Sequence, residues 1–221
     1  MPVPNHNDWM VNPVSARAVR ADVRRDFPAA FAPWTENPAL PRVLLIGDSI
    51  SLGYTPFVRE LLRATANVHR IPDNGGATTL GLAMLDEWLG PEPWRVIHFN
   101  FGLHDIVQVR AGEVRTPPDD YAANLRVLVE RLRHTGAHLI FATTTPVPGS
   151  TINPTRDEAD VLAVNARATA VMRELGVTLN DLHAFAAPHL AEWQQPANVH
   201  FTPAGCAALA QPVAAAIRAA L

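Results

Sequence analysis

The stretch Arg42-Val43-Leu44-Leu45-Ile46-Gly47-Asp48-Ser49-Ile50-Ser51-Leu52-Gly53-Tyr54 runs from an apolar strand pattern into Gly-Asp-Ser and then into a helical pattern. A strand that turns directly into a helix leaves the residue at the junction on the carboxyl edge of a sheet. The first N–H groups of the helix point toward any negative charge that develops there. Ser49 stands at that junction, where a serine nucleophile is useful. Serine is also a favoured helix N-cap, and the tripeptide by itself leaves both readings open.

Outward from this point, short β-rich runs alternate with longer helical ones. Strand patterns cover Val43–Gly47, Asn67–Ile71, Val96–Asn100, His138–Thr143 and, more weakly, Val177–Asn180. Helical patterns lie near residues 53–65, 78–89, 119–134 and 157–175, and a last one runs from about 203 to the end. Runs such as Val43-Leu44-Leu45-Ile46 and Val96-Ile97-His98-Phe99 are almost continuously apolar, as strands covered on both faces should be. The pattern predicts an α/β fold: about five parallel strands between two helical layers, with ligands bound beyond the carboxyl ends of the strands. It divides the chain into an N-terminal extension, residues 1–40, and one domain, residues 41–221. The extension holds a leading helix candidate, Val14–Phe27, whose Arg17, Arg20, Arg24 and Arg25 read as a solvated face.

Composition narrows the function classes. With 221 residues, 48% hydrophobic and 18% charged, the chain has ample material for a single core. A net charge of −3 argues against nucleic acid as a partner. The single cysteine, Cys206, excludes an internal disulfide and reads as a small packing residue in a run of alanines. No signal-peptide pattern opens the chain and no apolar run is long enough to span a membrane, so a cytoplasmic, soluble protein is expected. The sequence leaves the oligomeric state open. Zinc, P-loop, dinucleotide and Gly-x-Ser-x-Gly motifs are all missing.

Four polar segments fall at strand ends or in loops. They are Gly47-Asp48-Ser49, Asn74-Gly75-Gly76-Ala77-Thr78-Thr79, Asn100-Phe101-Gly102-Leu103-His104-Asp105 and Asn198-Val199-His200-Phe201-Thr202-Pro203. Acyl transfer requires a nucleophile, a base and donors for the tetrahedral oxyanion. Ser49, His200, the Gly76 N–H and the His104 ring can supply them. Taken alone, Gly75-Gly76 is equally a plain turn, and the other reading of His104 is a structural histidine bonded to Asp105.

With those blocks in place, the chain resembles the SGNH, or GDSL-type, serine hydrolases across about Arg42 to Gly205. Within that family it is similar to members whose third block reads Gly-Leu-His-Asp. The resemblance implies a flavodoxin-like three-layer α/β/α sandwich. It implies Ser49 as nucleophile, His200 as general base, and an oxyanion hole from Ser49, Gly76 and His104. It further implies an esterase acting on small-molecule acyl esters, often acetyl groups on sugars, with no metal and no organic cofactor. Asp48 and Asp105 are expected in support, Asp48 as a helix cap or as a brace for the Ser49 loop.

Two positions depart from the family pattern. His104 stands where the third block usually has asparagine, and a histidine donates only from the ring nitrogen that bears the proton. Ala197 stands three residues before His200, where the family places the aspartate that orients the base. Three readings follow: a backbone carbonyl near Ala197 orients His200; Glu192, Asp181 or Asp105 substitutes; or the site has decayed into a carbohydrate- or lipid-binding one. An acyltransferase on the same residues is a further alternative. Thr143, Thr144 and Thr145 read either as pocket lining or as a strand end, and Trp193 as pocket lining or cover. His69, His98 and His138 read as core or edge histidines.

Overall fold

The computed structural model describes residues 21–148 and 152–221, so Arg17, Arg20 and the first part of the leading helix candidate lie outside the described residues. The described part of that candidate forms helix α1, Ala21–Asp26, followed by a 3-10 turn at Pro28–Phe31. The core sheet consists of β1 (Arg42–Ile46), β2 (Asn67–Arg70), β3 (Val96–Phe99), β6 (His138–Ala142) and β7 (Thr178–Asn180). Its order is β2-β1-β3-β6-β7 and every pairing is parallel. Between β3 and β6 a small antiparallel hairpin, β4 (Gln108–Arg110) and β5 (Glu113–Val114), stands apart from the sheet.

Long helices connect the strands: α2 (Ser49–Leu62), α3 (Thr78–Leu89), α4 (Pro118–Arg133) and α5 (Glu158–Glu174). After β7 come α6 (Leu182–Ala186), a 3-10 turn at Ala187–His189, α7 (Leu190–Trp193) and α8 (Pro203–Ala220). Helix α2 packs on α8, while α3, α4 and α5 pack in succession. Apart from His138 at the start of β6, the central strands carry no exposed residue, which accounts for their apolar runs: Val43, Leu44, Val96, Ile97, Ile140 and Phe141 are all sealed. Local chemistry sets the helix ends. Pro118 stands in the first turn of α4, followed by Asp119 and Asp120, with Arg131 and Arg133 in its last turn, matching the helix dipole.

The five parallel strands and their connecting helices are those expected from the sequence. Helix α2 begins at Ser49, four residues before the expected 53, because Asp48 caps it. The hairpin and the short α6 and α7 are new, since elements of two to five residues carry no readable periodicity. Strand β1 lies between β2 and β3, so the chain leaves it in opposite directions on its two sides. The helices that follow β1 and β2 lie in different layers, and the loops after β1, β2 and β3 border a crevice at the carboxyl edge.

Candidate active site

The crevice is built from the first loop outward. Asp48, 2% exposed, accepts a hydrogen bond from Ile50 N at 2.9 Å and is the N-cap of α2. Ser49 is thus the first residue inside the helix and is released from the capping role. As a first-turn residue it has no intrahelical acceptor for its N–H. Its Oγ lies 2.9 Å from His200 Nε2.

His200 is held by Asn198, a residue the sequence reading placed in the right segment but gave no role. Asn198 Oδ1 accepts the His200 backbone N–H at 3.1 Å and lies 2.8 Å from His200 Nδ1. A backbone N–H can only donate, so the atom facing it is the amide oxygen. The same oxygen therefore requires a proton on Nδ1, which leaves Nε2 with its lone pair toward Ser49. Ser49, His200 and Asn198 form one hydrogen-bonded chain.

The turn that carries them is tied on both sides. Gln194 pairs with Phe201 in an antiparallel bridge, Gln195 N donates to the His200 carbonyl at 2.8 Å, and Thr202 N donates to the Trp193 carbonyl at 2.7 Å. Ala197 takes a left-handed φ of 50° at the tip, and Thr202 caps α8 by accepting from Gly205 N.

The orienting groups expected at the sequence level are engaged elsewhere. Asp181 accepts from Thr143 Oγ1 and Ala184 N, Asp105 accepts from Thr78, and Glu192 is exposed. The orienting oxygen belongs to the Asn198 side chain and not to a backbone carbonyl near Ala197. The Asn-x-His spacing was the available signal; attention to the position three before His200 hid it.

The second loop is pressed against the first. Gly75 N donates to the Gly47 carbonyl at 2.9 Å, and a Cβ on Gly75 would stand 2.9 Å from that same oxygen. Gly76 has φ +60° and its N–H donates to Asn74 Oδ1 at 3.0 Å. Asp105 fastens this loop to the third, accepting from Thr78 N at 3.0 Å and Thr78 Oγ1 at 2.6 Å. Burial pushes the Asp105 carboxyl up to about 6, against the pull of those Thr78 bonds. His104, half-buried, faces the cavity and is not bonded to Asp105. Burial lowers its pKa, opposed by Asp48 and assisted by Arg156 and Arg115.

Arg70, fully buried at the end of β2, was also missed. Its Nη1 donates to the carbonyls of Ile71 and Asp73 and its Nη2 to the Gly47 carbonyl, 3.4 Å away, so one guanidinium binds the first two loops together. An arginine ending a strand pattern carries no sequence signal of enclosure.

Two cavities meet at Ser49 and His200. The larger, about 600 Å³, is lined by Gly76, His104, Arg115, Arg156 and Asn198 among others. The smaller, about 290 Å³, is lined chiefly by Phe27, Ile50, Gly53, Phe201 and Cys206. Phe27, just past α1, borders both, with its ring centroid 6.0 Å from that of His200. Burial also lowers the His200 pKa, with Asp48 opposing and Arg156 assisting.

Trp193 stacks on His189 at 4.1 Å, away from both cavities. Thr143 and Thr144 are tied to Asp181, Asn165 and Phe101, as a strand end. Among the described residues no group of three His, Cys, Asp or Glu is placed to hold a metal, and no helix is long and apolar enough to cross a membrane.

The model of the GDSL-like lipase/acylhydrolase family matches residues 45–208. The lipase/acylhydrolase from Enterococcus faecalis is 20% identical with a TM-score of 0.71, covering 81% of this chain and 96% of its own. An acetyl xylan esterase is 15% identical with a TM-score of 0.68, over 80% of this chain and 99% of its own. An acetylxylan esterase from Geobacillus stearothermophilus is 20% identical with a TM-score of 0.66, over 78% and 92%. At these identities the structural likeness shows the fold. No curated protein matches the chain.

Proposed function

We propose, from the premise that this chain belongs to the GDSL-like lipase/acylhydrolase family and is a carboxylic ester hydrolase, that it cleaves small acyl esters through an acyl-enzyme on Ser49. The observation that carries this reading is the chain Ser49 Oγ–His200 Nε2–Asn198 Oδ1, at 2.9 and 2.8 Å through the two imidazole nitrogens. His200 Nε2 takes the hydroxyl proton as Oγ forms its bond to the carbonyl carbon. The carbonyl π pair moves onto oxygen, returns as the C–O bond to the alcohol breaks, and His200 gives its proton to the departing alkoxide. Water repeats the sequence on the acyl-enzyme and releases the acid. The Asn198 oxygen holds the Nδ1 proton throughout and stays neutral, a role like that of asparagine in Cys-His-Asn proteases.

The oxyanion donors in this reading are the Ser49 N–H and His104, which takes the place of the family's third-block asparagine. Burial favours the neutral form of His104, which donates from one nitrogen only. The Gly76 N–H is already accepted by Asn74 and joins as a donor when that side chain turns away. The names of the acetylxylan esterase neighbours support acetyl groups on carbohydrate as the first substrates to try. The test is labelling by a fluorophosphonate, located at Ser49 by mass spectrometry, with a parallel screen of p-nitrophenyl esters and acetylated xylo-oligosaccharides. Stoichiometric labelling and ester turnover, both lost in Ser49→Ala, are expected. Folded protein that neither labels nor turns over any ester would overturn the reading.

A further inference from the structure

Arg156 differs from Arg42, which is half-buried, and from the buried Arg70 in what its guanidinium faces. Arg42 is paired with Glu36 and Glu92, at 2.8 Å each. The Nη atoms of Arg70 end on carbonyls and a hydroxyl inside the fold. Arg156, only 8% exposed, donates from Nε to the Leu103 carbonyl at 2.6 Å and from Nη1 to the Pro154 carbonyl at 3.1 Å. Both acceptors are neutral, and no carboxylate of the described residues lies at ion-pair distance. Burying a cation without a counter-ion is costly, and burial accordingly lowers its pKa, with Asp48 the charge that opposes. Its Nη2 has no acceptor among the described residues, yet it is not enclosed, because the side chain lines the 600 Å³ cavity.

The charges of that cavity are also sorted. Arg115, exposed and without a side-chain partner among the described residues, lines it beside Arg156, and both act on His104. Of its acids, Asp26 pairs with Arg25 near His200, and Asp73 accepts from Asn74 N. The cavity is therefore basic on the His104 side, where two carbonyls fix one guanidinium in orientation and leave an edge open. A planar guanidinium held in that way suits a carboxylate or phosphate oxygen pair.

We infer that the ester cleaved here carries an anionic group, which docks on Arg156 with Arg115 beside it. The inference rests on the ester hydrolysis proposed above and names its substrate class. The anion can belong to the acyl half, as in a monoester of a dicarboxylic acid, or to the alcohol half, as in an acetylated hydroxy acid. Matched substrates separate the two. At low ionic strength kcat/KM is measured for 4-nitrophenyl hydrogen succinate against 4-nitrophenyl levulinate, and for acetoxyacetate against 2-acetoxyacetamide.

One anionic member should exceed its neutral partner by about tenfold or more, the usual range for a charge-assisted bond. The pair that responds identifies the half that bears the anion. The ratio should fall about tenfold in Arg156→Gln and less in Arg115→Gln, with Ser49 labelling used to show that the site is assembled. Should Arg156→Gln fail to fold, the wild-type ratios and Arg115→Gln decide. Turnover of the neutral esters by a labelled Ser49 without anionic preference, or a preference that survives Arg156→Gln, would sink this inference and leave the chemistry standing. Absence of both labelling and turnover would sink both.

Discussion

His200 and His69 are both pushed below the ordinary histidine range by burial, and both lie against aromatic rings, yet only one is arranged to react. His69, on the edge strand β2, makes edge contacts with Trp34 and Trp94 at 4.8 and 5.4 Å. Its Nε2 lies 3.3 Å from Glu36 Oε1, a carboxylate that Arg42 already holds at 2.8 Å, and its Nδ1 has no partner. Its pKa falls to about 4, chiefly through burial and then through Arg42. His200, by contrast, has one nitrogen held by a neutral amide oxygen and the other on a serine hydroxyl, with two cavities beside the pair. A buried histidine becomes a base when one nitrogen is fixed and the other meets an ionisable hydroxyl that substrate can reach. Without the second condition it is packing.

The largest effect that would break this contrast is expected at Ser49. Ser49→Ala should lower kcat by about 10⁵-fold or more, since removing a hydrolase nucleophile typically costs that much. The melting temperature should hardly move. Retained turnover in a purified Ser49→Ala sample would place the chemistry elsewhere.

Next in size is Asn198. Replacing it with alanine removes the acceptor that selects the Nδ1–H tautomer and should cost about 10²-fold in kcat; loss of the acid in an aspartate triad costs about 10⁴. Asn198→Asp sharpens the point through pH. The base must be neutral, and burial lowers the His200 pKa, so the acid limb of the wild-type kcat/KM profile should lie below the ordinary histidine value. A carboxylate at 198 favours the imidazolium, so that limb should move to higher pH in Asn198→Asp. An unmoved limb would mean that the Asn198 contact is absent in solution.

His104→Ala should lose about tenfold to 10³-fold in kcat, the range for one oxyanion donor. A loss under tenfold would remove His104 from the oxyanion hole.

The smallest effect on activity is expected at His69, where His69→Phe should change stability and leave kcat near wild type. The linkage has a definite sign. A histidine whose folded pKa is depressed contributes stability that is present above its unfolded value, near 6.5, and is lost as pH falls through the folded value. His69 and His98, both brought to about 4, should therefore lower the urea midpoint between pH 6.5 and 4. Each contributes up to about 1.4 kcal/mol per pH unit in that window. Asp105, raised to about 6, acts in the opposite sense and offsets part of that loss. The slope should shrink in His69→Phe; an unchanged slope would show that His69 is not neutral in the fold.

Much of this was legible in the chain. The strands are continuous apolar runs because both faces are covered, so β1, β3 and β6 announced themselves. Ser49 was legible because a strand turning into a helix is a local event, written in consecutive residues. His200 and the Gly75-Gly76 loop could be matched to it because the alternation of elements brings their segments to the same sheet edge.

Which atom meets which was decided only in three dimensions. Asn198 orients His200 because an antiparallel turn, with Ala197 left-handed at its tip, brings the amide oxygen back onto both the backbone N–H and the ring. Asp48 rather than Ser49 caps α2, Arg70 is an enclosed cation, and Arg156 is drawn into the fold with one edge on the cavity. Periodicity and motif spacing report which face of the sheet or helix a residue occupies. Hydrogen-bond partners and burial depend on contacts between segments distant in the chain, such as Ser49 with His200, and those exist only after the loops have packed.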